Sequence, residues 1–197
     1  MTKQVHLAAH FPGVNNTTVW SDPASGSQIE FDSFVHLAQT AERGKFDFFF
    51  LAEGLRLREQ NGLIYDLDVV GRPDTFTVLS ALAAVTTHLG LTGTINSTFN
   101  EPVDVARQFA TLDHLSAGRA AWNVVTSVND GEALNMGKAQ HLDHDPRYDR
   151  ADEFMEVVLG HWDSWEDGSL VIDKKSGRFA DPTKVKRLDH KGEFFSS

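Results

Sequence analysis

Four short apolar stretches recur along the chain, each followed by a stretch whose apolar residues return at helical spacing. This alternation restricts the fold more than any other feature. The apolar runs are "VHLAAHF" (Val5–Phe11), "FDFFFLA" (Phe46–Ala52), "HLGLTGTINS" (His88–Ser97) and "AAWNVVTS" (Ala120–Ser127). A turn-rich loop, 12–27, follows the first run. Phe31, Phe34, Val35, Leu37, Ala38 and Ala41 then mark a first helix, with Gly44 at its C′ position. Asp74 caps a second helix carrying Phe76, Leu79, Leu82, Ala83 and Thr86. Pro102 opens a third, with Val105, Phe109, Leu112 and Leu115 on one face and Gly118 at its end. In the fourth, Asp145 is the expected N-cap and Pro146 the first helical residue, ahead of a stripe of Tyr148, Ala151, Met155, Val158 and Trp162. Strand and helix alternating in this way predict an α/β fold with a parallel sheet and helical crossovers.

Two architectures satisfy that pattern, a doubly wound open sheet and part of a (β/α)8 barrel. The first turn, "HFPGVNN", has no G-x-G-x-x-G, which argues against a dinucleotide-binding unit. A barrel needs roughly 250 residues, and four βα units are visible here. The segment 55–72, "LRLREQNGLIYDLDVVGR", reads as a long loop over the mouth of a site. Beyond Gly168 the pattern turns to short strand-like pieces, "SLVIDKKSGRF" and "HKGEFF".

Composition removes several function classes. A net charge of −10 disfavours nucleic acid or an anionic membrane as the main partner. The absence of Cys removes disulfides and thiolate chemistry. The N-terminus lacks a signal-peptide core and no apolar run reaches membrane-span length, so a cytoplasmic location is expected.

Polar residues collect at one end of the proposed strands: His10, Glu53, Asn96–Ser97–Thr98 and Thr126–Ser127. The C-terminal ends of parallel strands are where α/β folds bind ligands. Period-two alternation sends Asn123, Val125 and Ser127 to one side of the fourth strand, and Trp122, Val124 and Thr126 to the other. The strand is expected to be buried on both sides. His141, Asp143, His144 and Asp145 are metal-ligating residue types in one short stretch. Arg56 and Arg58 could meet an anionic substrate or simply be solvated.

"FDFFFLAEG", "GTINSTFNEP", "ARQFATLDHLSAGRAAWNVVTS", "HDPRYDRADEFMEV" and "WDSW" together resemble the bacterial luciferase-like flavin-dependent monooxygenases. The similar branch is that of nitrilotriacetate monooxygenase component A, dibenzothiophene sulfone monooxygenase and long-chain alkane monooxygenase. The resemblance runs from about Val5 to Phe195. It implies a (β/α)8 TIM barrel of which this chain is the N-terminal half, with residues 1–165 forming four βα units and 166–197 starting an insertion segment. It implies reduced FMN (FMNH2) as cofactor, O2 as co-substrate, a small organic substrate, and a separate NADH- or NADPH-dependent flavin reductase. Carried over position by position, Glu53, Ser97, Ser127, His144 and Tyr148 fall on flavin-contacting positions. Many members have Asp where Glu53 stands, and alkane-oxidising members have His where Val128 stands. These motifs belong to the FMN branch rather than to the deazaflavin one, and flavin chemistry leaves the His–Asp cluster no need of a metal. His10 is the acid/base candidate, and Ser127 a hydroxyl donor near the flavin ring.

The expectation for assembly is a homo-oligomer or pairing with a missing C-terminal half, because four units cannot close a barrel and leave apolar strands at open edges. The alternative is a non-catalytic half-barrel that binds flavin or a partner half without turnover.

Overall fold

The computed structural model describes residues 3–11, 22–64 and 72–197. They fall into two compact units, Met1–Asn96 with Thr111–His141, and Ser97–Ala110 with Leu142–Ser197.

In the first unit, β1 (Ala8–His10), β2 (Phe48–Leu51), β5 (Gly90–Asn96) and β6 (Ala120–Val125) form a four-stranded sheet. Its order is β1-β2-β5-β6 and every pairing is parallel. The order follows the chain without reversal, as successive right-handed crossovers produce. A doubly wound sheet would turn back at a switch point.

Alternation along the strands sorts the two faces. Ala9, Phe49, Leu51 and Leu91 are buried, packing with Phe34, Ala38 and Ala41 of α1 (Phe31–Arg43) and Val78, Leu79 and Leu82 of α2 (Thr75–Ala83). Gly93 lies on this same face. A Cβ there would overlap Thr75 Cγ2 and come 2.8 Å from Leu79 Cδ1, so only glycine lets α2 approach. The opposite face carries His10, Phe50, Thr92, Thr94, Asn96 and Asn123.

Several sequence expectations are corrected. The first strand is shorter than Val5–Phe11, and Leu7 precedes it with its carbonyl accepting from Asp47 N and Phe48 N. The loop 55–72 contains a hairpin, β3 (Glu59–Gln60) and β4 (Leu63–Ile64). It turns on Asn61 and Gly62, both with positive φ, as a tight hairpin turn requires. Residues 65–71 of that loop, and 12–21 of the earlier turn-rich one, lie outside the described residues. Thr86 falls past the end of α2, where its hydroxyl donates to Leu82 O at 2.7 Å. Asp74 caps α2 as expected, accepting from Thr77 N at 2.8 Å.

Gly44 keeps a right-handed φ of −74°, so the C′ position falls to Lys45, whereas Gly118 ends α3 as expected with φ at 83°, directly after the C′ residue Ala117. Both C′ residues are left-handed, Lys45 with φ at 61° and Ala117 with φ at 56°. Phe46 N bonds to Ala41 O, and Gly118 N to Asp113 O, which closes a Schellman motif at each end. The fourth strand is half exposed rather than buried on both sides, with Val124 at 38% exposure. It stands at the sheet's end in the strand order, so its outer side lacks the second neighbour strand that buries β5.

α3 (Pro102–Ser116) starts at Pro102 as expected. In the second unit, α5 (His144–Asp163) begins two residues earlier than expected, with Asp143 rather than Asp145 at its N-cap. Phe154, Val157 and Val158 are fully buried. Trp162 Nε1 donates to Ala106 O at 3.0 Å. A second hairpin, β7 (Leu170–Asp173) and β8 (Arg178–Ala180), follows α5. Among the described residues no helix is long and apolar enough to cross a membrane.

Candidate functional site

The site in the first unit is built where the parallel strands end. β1 ends at His10, whose ring stacks on Phe50 of β2 with centroids 5.1 Å apart. Partial burial and, second, the positive charge of Arg72 hold the His10 imidazole below its ordinary value. His10 is therefore neutral around pH 7.

Glu53 lies two residues beyond β2, against the end of β5. Its Oε2 accepts from Asn96 N at 3.1 Å and from Asn96 Nδ2 at 2.7 Å. Its own carbonyl accepts from Arg72 Nη1 at 3.2 Å. Burial raises the Glu53 carboxyl above its usual value. The two Asn96 bonds work against the shift, and the charges of Glu132 and Asp74 add to it. A carboxyl so placed at a strand end is of the kind that marks functional sites.

Ser127 lies two residues past β6 with φ at 60°, a left-handed conformation unusual for a non-glycine residue. A short helix, α4 (Asp130–Asn135), explains what holds it. Ser127 Oγ donates to Glu132 Oε2, and Glu132 is only 8% exposed. Glu132 Oε1 in turn accepts from Leu55 N at 3.4 Å. Asn135 Nδ2 donates to Leu55 O at 2.8 Å, and Arg56 Nη2 to Asn129 Oδ1 at 3.3 Å. The last three of these contacts tie the loop after β2 to the loop after β6. Arg56 is thus engaged by the protein itself. Glu132 was missed from sequence, although Asn129 followed three residues later by Glu132 is a helix-start signal.

Asn123, which alternation assigns to the same side as Ser127, donates through Nδ2 to Thr94 Oγ1 at 3.0 Å, across the β5–β6 pairing. Trp122, on the other face, donates through Nε1 to Ile95 O at 3.0 Å.

His10, Glu53 and Ser127 thus belong to the first unit, whereas Ser97, His144 and Tyr148 belong to the second. Ser97 is buried, and its carbonyl accepts from Arg150 Nη1. His144 and Tyr148 sit in the first turns of α5, exposed, with ring centroids 4.7 Å apart. His144 Nδ1 lies 2.7 Å from Asp145 Oδ1. His141 belongs to the first unit, where its backbone N donates to Asp130 Oδ1 at 3.2 Å. Among the described residues no group of three or more His, Asp or Glu side chains is placed to hold a metal ion.

The sequence profile of one family, luciferase-like monooxygenase, matches residues 13–197. A dibenzothiophene-sulfone monooxygenase of Rhodococcus erythropolis (strain XP) is 48% identical over 98% of this chain and 45% of its own length. An N-acetyl-S-(2-succino)cysteine monooxygenase of Bacillus subtilis (strain 168) is 46% identical over 98% of this chain and 44% of its own. Among solved structures, riboflavin lyase with modified FMN and riboflavin superposes with a TM-score of 0.89 at 38% identity, over 99% of this chain and 46% of that one. The chain therefore spans about half the length of the relatives it matches.

Proposed function

The chain belongs to the luciferase-like monooxygenase family, and on that premise we propose that it supplies the flavin-facing strand ends of an FMNH2-dependent, two-component monooxygenase. Residues 1–165 are its first four βα units, the N-terminal half of a (β/α)8 barrel, and 166–197 open an insertion segment. The sequential, all-parallel order of the sheet supports the barrel.

One observation carries the reading. The sheet face turned away from the helices is lined with hydroxyls and amides, Thr92, Thr94, Asn96 and Asn123, and ends at Glu53 and Ser127. An isoalloxazine ring needs an apolar surface for its face and mixed donors and acceptors for its carbonyl, imide and N5 edge. Phe50 and its stacked His10 offer the first, and the row of polar side chains the second. The residues present fit the group.

Bound reduced flavin supplies the activation of O2. These residues bind and orient it. Glu53 accepts from both the backbone N and the side-chain amide of the buried Asn96, which fixes the end of β5 beneath the ligand without reorganisation. Neutral His10 can take a proton at a ring nitrogen and return it. By the resemblance, His144 and Tyr148 would approach the ribityl and phosphate of the cofactor, and Ser97 is a further flavin-contacting position. Inserting one oxygen atom and reducing the other to water requires two electrons, which Ser, Asn, Glu and His side chains do not supply. A separate NAD(P)H-dependent flavin reductase delivers them.

Both relatives named above act on organosulfur compounds, and a small organosulfur substrate is the first class to test. The assay uses the protein as its gene encodes it, with FMN, NADH, a flavin reductase and 18O2. One 18O atom in the product of an organosulfur substrate is the expected result. NADH oxidation that only reduces O2 to hydrogen peroxide, with no labelled product and no flavin retained, would overturn the proposal.

A further inference from the structure

The contact between Ser127 and Glu132 fixes the direction of one proton. A serine hydroxyl has a single hydrogen to donate, and a carboxylate oxygen accepts. Ser127 Oγ points that hydrogen at Glu132 Oε2. It does so from a backbone of positive φ, and Glu132 is itself anchored on Leu55 N and carried on α4. The arrangement is over-determined at both ends, the condition under which an unfavourable φ persists. Toward a ligand, Ser127 accordingly acts as an acceptor and not as the donor expected from sequence.

Reduced and oxidised flavins differ at that edge. N5 carries a hydrogen and donates in the reduced ring, and in the oxidised ring the same nitrogen has a lone pair and accepts. We propose that Glu132 is a positioning residue which, by holding the Ser127 hydroxyl hydrogen, makes the site select reduced over oxidised FMN. The inference rests on the flavin reading of this rim and specifies which form of the cofactor the rim prefers. The device suits a protein that receives FMNH2 from a reductase and must release the spent oxidised ring.

The test measures both redox forms on the same protein. Dissociation constants for FMN and, anaerobically, for FMNH2 are determined for the protein as its gene encodes it, for Glu132→Gln and for Ser127→Ala. The midpoint potential of the bound flavin gives the same ratio independently. One hydrogen bond gained or lost changes affinity by roughly tenfold. The unmodified protein is expected to bind FMNH2 at least tenfold more tightly than FMN. Glu132→Gln can donate its amide N–H to Ser127 and turn the hydroxyl toward N5. It should therefore cut the preference by roughly tenfold or invert it, and lower the potential by about 30 mV per tenfold for a two-electron couple. Ser127→Ala, which leaves Glu132 in place, should also abolish the preference, so the conclusion survives if Glu132→Gln folds poorly. A merely structural role would weaken both forms alike and leave the ratio unchanged, which refutes the inference. Absence of binding to either form in the unmodified protein refutes instead the flavin reading beneath it.

Discussion

Gly93→Ala is the most direct test of how the sheet meets its helices. The position lies in mid-β5, on the face toward α2, and pairs with Leu51 on one side and Trp122 on the other. The added methyl would overlap Thr75 Cγ2 and stand 2.8 Å from Leu79 Cδ1. Neither neighbour can swing away. Thr75 is the first residue of a capped helix and 5% exposed, and Leu79 is fully buried. Overpacking of this kind costs about 1–3 kcal/mol. Replacing a mid-strand glycine returns roughly 0.5–1 kcal/mol. The net loss is about 1–2 kcal/mol, or roughly 3–6 °C in Tm for a chain of this size. Thr75→Ser removes the clashing methyl and keeps the hydroxyl. Alone it should cost about 1 kcal/mol for the lost buried carbon. In combination it should relieve the clash, so the double variant is less destabilised than the sum of the singles by about 1 kcal/mol. Thermal and urea unfolding followed by circular dichroism give all three values. A Gly93→Ala protein that melts with the parent, or singles that simply add, would refute the packing argument.

Glu53 gives a pH signature. Its folded carboxyl is raised, chiefly by burial, so the stability it contributes is complete below the unfolded value and is lost as pH rises through the folded one. Urea midpoints measured from about pH 4 to about pH 8 should therefore fall more steeply for the parent than for Glu53→Gln; parallel curves would argue against the buried carboxyl. Lys45→Gly should raise stability by about 0.5–1 kcal/mol, because glycine takes a φ of 61° without the Cβ penalty. Lys45→Ala should give no gain by the same unfolding assay. In the second unit, Glu153 receives the backbone N–H groups of Glu193, Phe194 and Phe195 together with His190 Nε2. Burial pushes this carboxyl up, but those four bonds outweigh it and hold it below the usual value. Its contribution is therefore lost as pH falls through the folded value. Gly192→Ala, whose Cβ would overlap the Glu153 carboxylate, should speed amide hydrogen exchange at Glu193, Phe194 and Phe195 at neutral pH. Unchanged protection there would contradict the arrangement.

The fold was legible where residue type and period coincide. β2 is a continuous apolar run, and a parallel sheet covered by helices accommodates such a run. α1 and α3 carry unbroken stripes, and the parallel sheet follows from their alternation with strands. What escaped was short. The β3–β4 hairpin has two-residue strands, too brief for a period to show, although Asn61-Gly62 is itself a hairpin signal. α4, with six residues, lies under a stretch rich in Asn and Gly that reads as turn chemistry. The start of α5 was misplaced because Pro146 fits N1 by itself, whereas a proline in any position of the first turn lacks only an N–H that has no helical partner.

The site was legible to the level of which strand ends carry polar groups, and no further, for a physical reason. Alternation assigns a residue to a face, but a hydrogen bond's direction depends on a partner that arrives from elsewhere in the chain. Asn96 and Glu53 are 43 positions apart, and Leu55 and Glu132 are 77 apart. Ser127 shows what that difference means chemically. Sequence makes it a hydroxyl at a rim, expected to donate. Only the buried Glu132, carried on a helix that sequence did not reveal, decides that it accepts. The chemistry offered to a ligand at this edge is therefore set by a residue that need not touch the ligand at all. Substitutions at position 132 should accordingly change which redox form is held before they change whether flavin is held.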